Sequence, residues 1–76
     1  MNLERTLNTL SAGERAVVKA VNINGAMKRR LFDLGLIPGT EVSCMLRSPL
    51  GDPVAFLIRG AVIALRTEDS SNIVLT

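Results

Sequence analysis

The sequence predicts a mainly β fold: a small barrel or sandwich of about five short strands, with one short helix inserted after the first. Turn signals recur at short intervals, at Ala12-Gly13, Asn24-Gly25, Pro38-Gly39, Ser48-Pro49-Leu50-Gly51-Asp52-Pro53 and Gly60. Between them lie short runs rich in β-branched and aliphatic residues. A single longer stretch, 26–34, carries helical rather than strand periodicity.

At the start, Leu7-Asn8-Thr9-Leu10 predicts a short turn that drops two leucines onto the end of the barrel. The first strand is expected over 15–23, with Val17, Lys19, Val21 and Ile23 on one face and Ala16, Val18 and Ala20 on the other. Neither face is cleanly polar, so both are expected to be covered. In the helix over 26–34, Met27, Leu31 and Leu34 fall on one stripe at i, i+4 and i+7. Lys28, Arg29 and Asp33 lie opposite, and Phe32 sits off the stripe. Gly35 stands where a helix end needs positive φ, and Pro38 stops the helix from resuming. The second strand, Glu41–Arg47, alternates with Val42, Cys44 and Leu46 inward, although Met45 breaks its polar face. The third, 54–59, groups Val54, Phe56 and Ile58. A fourth over 61–66 follows so closely that residues beside Gly60 must join the turn. Thr67-Glu68-Asp69-Ser70 predicts a single helical turn capped by Thr67, and 72–75 a closing strand.

Seventy-six residues make one domain, 1–76, which buries only roughly 60% of its unfolded surface and rarely encloses a deep catalytic pocket. The apolar share of 47% and charged share of 21% are those of a globular chain rather than a disordered one. The longest charge-free stretches, 53–58 and 60–65, are separated by Arg59 and fall well short of a membrane span. The N-terminus lacks the basic start and apolar run of a secretion signal, and a lone Cys44 forms no internal disulfide. A cytoplasmic location without membrane insertion is therefore expected. The net charge of +2 is too small to specify nucleic acid as the partner.

The chemistry the chain lacks is as informative. With no His, the commonest general base and nitrogen ligand are absent, and one Cys cannot build a zinc or iron–sulfur cage. Glu68 and Asp69 are read as charges that complement a helix start rather than as an acid/base pair. The run Gly35-Leu36-Ile37-Pro38-Gly39 lacks a phosphate-binding pattern. Cys44, at an inward strand position, reads as a buried thiol. No catalytic residue and no resident cofactor are expected. Two features point to binding. Lys28-Arg29-Arg30 is either a solvated helix face or a contact for an acidic surface or phosphates. Phe32 and Leu50 are apolar residues at positions that either plug the barrel or form an exposed protein-binding cluster.

The segment Lys28-Arg29-Arg30-Leu31-Phe32-Asp33-Leu34-Gly35-Leu36-Ile37-Pro38-Gly39-Thr40-Glu41-Val42 resembles the signature of the FeoA family, in which a basic, leucine-rich helix runs into Leu-Gly-Leu-x-Pro-Gly-x-x-Val. Pro49-Leu50-Gly51-Asp52-Pro53 is similar to that family's loop between the middle strands. Leu7 to Glu14 and Ala64-Leu65-Arg66 resemble its opening and closing stretches, so the likeness runs in order along nearly the whole chain. Ser70 and Ser71 depart from the expected Ala or larger residue and should weaken the last helical turn; Ala61-Val62-Ile63 is more apolar than usual. The resemblance implies an SH3-like barrel and a cytosolic accessory of bacterial ferrous iron uptake beside the FeoB-type membrane transporter. Because the domain also occurs fused to metal-dependent repressors, and no DNA-binding segment is present here, a free-standing monomeric accessory is expected. Its partner surface is expected around Arg29, Phe32, Leu50 and Asp52. Ferrous iron is then the cargo of the system, and transition-metal binding a family-level property without a tight site here. The rival readings are a nucleic-acid-binding small barrel, which two Phe and no Trp or Tyr disfavour, and a direct ferrous-iron chaperone.

Overall fold

The computed structural model describes residues 4–76. A 3₁₀ turn, Leu7–Thr9, precedes strand β1 (Arg15–Val21), helix α1 (Gly25–Asp33), strands β2 (Glu41–Arg47), β3 (Val54–Ile58) and β4 (Ala61–Leu65), the single turn α2 (Thr67–Ser70) and strand β5 (Ile73–Leu75). The strands form one antiparallel sheet in the order β4-β3-β2-β1-β5. β1 is shared between two halves: residues 15–17 pair with β2 and residues 18–21 with β5. The sheet thereby folds over its own core, which is built around Phe56, Val42, Cys44, Ile58, Leu31, Leu36 and Ile73. The two leucines of the 3₁₀ segment, Leu7 and Leu10, are buried at one end of it. Arg47 at the end of β2 donates from Nη2 to the carbonyls of Asn8 and Leu10, each at 2.6 Å, and so pins that segment.

β3 follows its expected alternation, with Val54, Phe56 and Ile58 all buried. β1 and β2 do not, because each carries a register shift. On β1 it falls between Val18 and Ala20 against β5. Inserting one residue there flips the side-chain phase, so Val18 and Val21 are both buried while Lys19 is exposed. The expected grouping of Val17, Lys19, Val21 and Ile23 on one face is corrected accordingly. On β2 the shift falls between Cys44 and Leu46 against β3. Val42 and Cys44 point inward as expected, but Leu46 does not: it is 68% exposed.

Helix α1 ends as its sequence requires. Gly35 has φ +97°, the Leu36 N–H donates to Leu31 O (2.8 Å) and the Gly35 N–H to Phe32 O (3.0 Å). This paired arrangement satisfies the last carbonyls through a left-handed residue. Leu31 and Leu36, the apolar pair that accompanies it, are both buried. Leu34, expected on the buried stripe, lies just past the helix and is partly exposed, and the chain reversal gives its place in the core to Leu36. Thr40 Oγ1 donates to Gly35 O at 2.8 Å and closes the following turn.

The turn before β4 consists of Arg59 and Gly60 alone, with Ile58 facing Ala61 across it. Both turn residues have positive φ, 49° and 84°, as the tightest hairpin geometry demands. The cap of α2 also differs from expectation. Thr67 is the first helical residue, not the cap. Its N–H (2.9 Å) and its Oγ1–H (2.7 Å) both donate to Asp52 Oδ1 from the β2–β3 loop. With that carboxylate in place and Ser70 buried, the turn forms despite the two serines expected to weaken it.

Asp52 thus has a testable pH signature. The Thr67 side-chain and backbone hydrogen bonds hold its carboxyl below the usual carboxylate range. A carboxyl depressed in the folded state adds stability above its unfolded pKa and loses it as pH falls through the folded value. Asp52→Asn is therefore expected to melt at a lower temperature than the parent near neutral pH, with the gap closing in strong acid. Parallel melts of both proteins across that range check this; a gap that persists in acid would show that the ionised carboxylate is not the stabilising form.

Candidate functional site

Strand alternation sends Ala55 and Leu57 of β3 and Val62 and Ala64 of β4 away from the core. Cross-strand register then sets Leu57 beside Val62, Ala55 beside Ala64, Ser43 beside Leu57 and Leu46 beside Ala55. The bulge on β2 turns both Met45 and Leu46 outward. The resulting face carries no charged side chain among these positions, and Leu46, Val62 and Met45 are 68%, 61% and 47% exposed. An exposed, uncharged aliphatic cluster of this kind is a candidate contact surface. Sequence reading missed it because it is assembled from three strands. Its only signals were Met45 breaking the polar face and the run Ala61-Val62-Ile63-Ala64-Leu65, which has no polar alternate.

Leu50 stands at 93% exposure in the loop that joins β2 to β3. Asp52 of the same loop is engaged with Thr67. On α1, Arg29 is exposed and Phe32 is 40% exposed, with Lys28 Nζ lying 5.5 Å from the Phe32 ring centroid, a cation–π contact. Among the described residues no hydrogen bond or ion pair joins Arg29 or Phe32 directly to Leu50 or Asp52. Asp52 caps α2, whose Glu68 and Asp69 line a groove of about 320 Å³ together with Met27, Arg30 and Leu31 of α1; Arg29, Phe32, Leu50 and Asp52 do not line it. A second, more open concavity of about 520 Å³ lies at the other end of β2 and β3, between Ile37, Thr40, Ser43, Leu57 and Arg59.

Cys44 is a buried free thiol. Among the described residues, no three His, Cys, Asp or Glu side chains come together as a metal site, and no helix is long and apolar enough to cross a membrane.

Comparison with known proteins gives this arrangement a family. The FeoA domain model matches residues 5–76. A protein of Porphyromonas gingivalis described as an Fe(2+) transport protein A/Fe(2+) transporter FeoB fusion protein is 31% identical over 67 residues, which are 88% of this chain and 8% of that one. The chain thus spans under a tenth of that relative's length. The solution structure of FeoA from Chlorobium tepidum superposes with TM-score 0.89 at 35% identity, covering 93% of this chain and 68% of that one. The crystal structure of Stenotrophomonas maltophilia FeoA complexed with zinc gives TM-score 0.83 at 32% identity, over 95% of this chain and 89% of that one. It is described as a prokaryotic SH3 domain protein proposed to act as a bacterial ferrous iron transport activating factor. The mainly β architecture, the inserted helix and the match from residue 5 to residue 76 agree on one conclusion: the chain belongs to the FeoA family, associated with ferrous iron transport.

Proposed function

We propose that this domain acts in the cytosol by direct protein–protein contact with a FeoB-type ferrous iron transporter, without catalysis and without a tight metal site of its own. The observation that carries this reading is the uncharged apolar face of β2, β3 and β4, with Leu50 almost wholly exposed in the loop that joins two of those strands. The Porphyromonas relative supports the choice of partner, since it carries the two proteins in one polypeptide. Contact rather than iron handling is favoured by the chemistry of the donors. Ferrous iron prefers imidazole and carboxylate ligands, this chain has no His, and its one thiol is buried.

The test is a binding titration against the cytosolic portion of a FeoB-type transporter, with and without GTP, run beside thermal melts. Leu50→Ala is expected to change stability by under about 1 kcal/mol, as exposed truncations do, and to weaken binding several-fold. Arg29→Glu should weaken it in a salt-dependent way if α1 faces an acidic surface. Undiminished binding by both variants would exclude the β2–β3 loop and α1 as the contact. Steeply salt-dependent binding to DNA or RNA would favour the rival nucleic-acid reading instead.

A further inference from the structure

β4 is the outermost strand of the sheet order on its side. Because the Arg59-Gly60 turn is two residues long, Ile58 and Ala61 exchange both backbone hydrogen bonds, and by antiparallel alternation so do Phe56 with Ile63 and Val54 with Leu65. The N–H and C=O groups of Val62 and Ala64 therefore point off the free edge. Among the described residues, neither makes a backbone hydrogen bond to any element beyond the β3–β4 ladder. Unpaired edges are usually blunted by charge, proline or a bulge. β4 has none of these: its sequence is Ala-Val-Ile-Ala-Leu and its pairing with β3 is regular.

The edge does not open onto bulk solvent alone. Ile63, Leu65 and Arg66 form one wall of the groove of about 320 Å³, and Met27, Arg30 and Leu31, at i, i+3 and i+4 on α1, form the other. An edge strand faced by a helix across a slot is the geometry in which an extended peptide adds as a further strand, with main-chain bonds supplying affinity and alternate side-chain pockets supplying specificity. Resting on the proposed contact with the transporter, we infer that this slot takes an extended segment of the partner by strand addition to β4.

Charge and shape define the segment. Side chains of an added strand that fall on the Ile63 and Leu65 side meet Met27 over a floor of the buried Leu31, Ile63 and Leu65, so aliphatic residues suit the alternate positions. Arg30 and Arg66 line the slot and, among the described residues, have no carboxylate within ion-pair distance. An acidic residue of the segment supplies the missing partner, and Glu68 and Asp69 at the α2 end favour a basic one beyond it. A second copy fits less well, because its own β4 would bring its own α1 into the slot that one extended chain fills.

The experiment reads backbone amides on the full chain. Hydrogen exchange is followed by NMR with and without the purified cytosolic portion of a FeoB-type transporter, and with capped nine-residue peptides tiled across that portion. Exchange at Val62 and Ala64 is expected to slow at least tenfold with the partner and with a tile of the stated pattern. Ala64→Pro removes an edge donor without touching the β3 ladder and should weaken binding at least tenfold while the β3-facing amides of Ile63 and Leu65 stay as protected as in the parent, which shows the strand intact; undiminished binding by a variant so folded would overturn strand addition. A complex that forms while Val62 and Ala64 exchange freely would overturn strand addition and leave the proposed contact standing. Absence of any complex with the cytosolic portion would sink the proposed contact itself, and tiles that fail to protect the edge would then overturn the slot as well. Protection that grows with protein concentration in the absence of partner would assign the edge to a second copy, against this proposal.

Discussion

Phe56→Ala is expected to be the most destabilising single truncation in the fold. The side chain is fully buried at the middle of β3, among Val42, Cys44 and Ile58, and Phe-to-Ala truncations in such sites cost about 3–5 kcal/mol. A chain of this length has a total stability of roughly 4–11 kcal/mol at the usual value per residue. The loss therefore takes between about a quarter and all of what is available, because a small sheet with one core has no second cluster to fall back on. Urea denaturation of parent and variant measures it directly. Leu57→Ala is the matched control: the next residue on the same strand points outward, is 37% exposed, and should lose no more than about 1 kcal/mol. Comparable losses at 56 and 57 would mean that the inward and outward faces of β3 are assigned wrongly.

The second large effect is expected at Gly35. Its φ of +97° is a conformation that side chains rarely adopt, and a Cβ placed there would stand 2.3 Å from Arg59 Cδ. Two penalties combine in Gly35→Ala: backbone strain of about 1–3 kcal/mol, and displacement of the Arg59 side chain, which lies over the end of α1. The second is separable because Arg59 is long and flexible. Melts of Gly35→Ala, Arg59→Ala and the double variant resolve the two, and the double variant should recover the steric part and keep the strain. If Gly35→Ala melts with the parent, the helix terminates by some route other than the left-handed residue.

What the sequence disclosed followed the range of the forces involved. The β3 alternation, the stop of α1 at Gly35 and the dehydrated Leu7 and Leu10 were legible because each is decided within a few residues of itself. The bulges on β1 and β2 were not. A one-residue slip inverts every position after it, and neither Lys19 nor Met45 is a residue type that announces a bulge. That a residue beside Gly60 must join the turn was also legible, and Arg59 is the one that does. Asp52 as the cap of α2 lies beyond local reading altogether, since donor and acceptor are fifteen positions apart in sequence. The candidate site divides in the same way. Exposure of Leu50 followed from a loop with no strand pattern around it, whereas the apolar face and the slot beside β4 exist only once separate strands and α1 are brought together.

The sharing of β1 between β2 and β5 also dictates an order of assembly. β2, β3 and β4 are joined by short connections and form a meander whose contacts close quickly, with little loop entropy to lose. The other half of the sheet waits on Val18 finding Leu75, a partner most of the chain away. Until that meeting, Ile73, Val74 and Leu75, all buried in the finished fold, leave the core open on one side. The expected sequence is an early three-stranded nucleus and a late latch, so truncating β5 residues should speed unfolding far more than it slows folding.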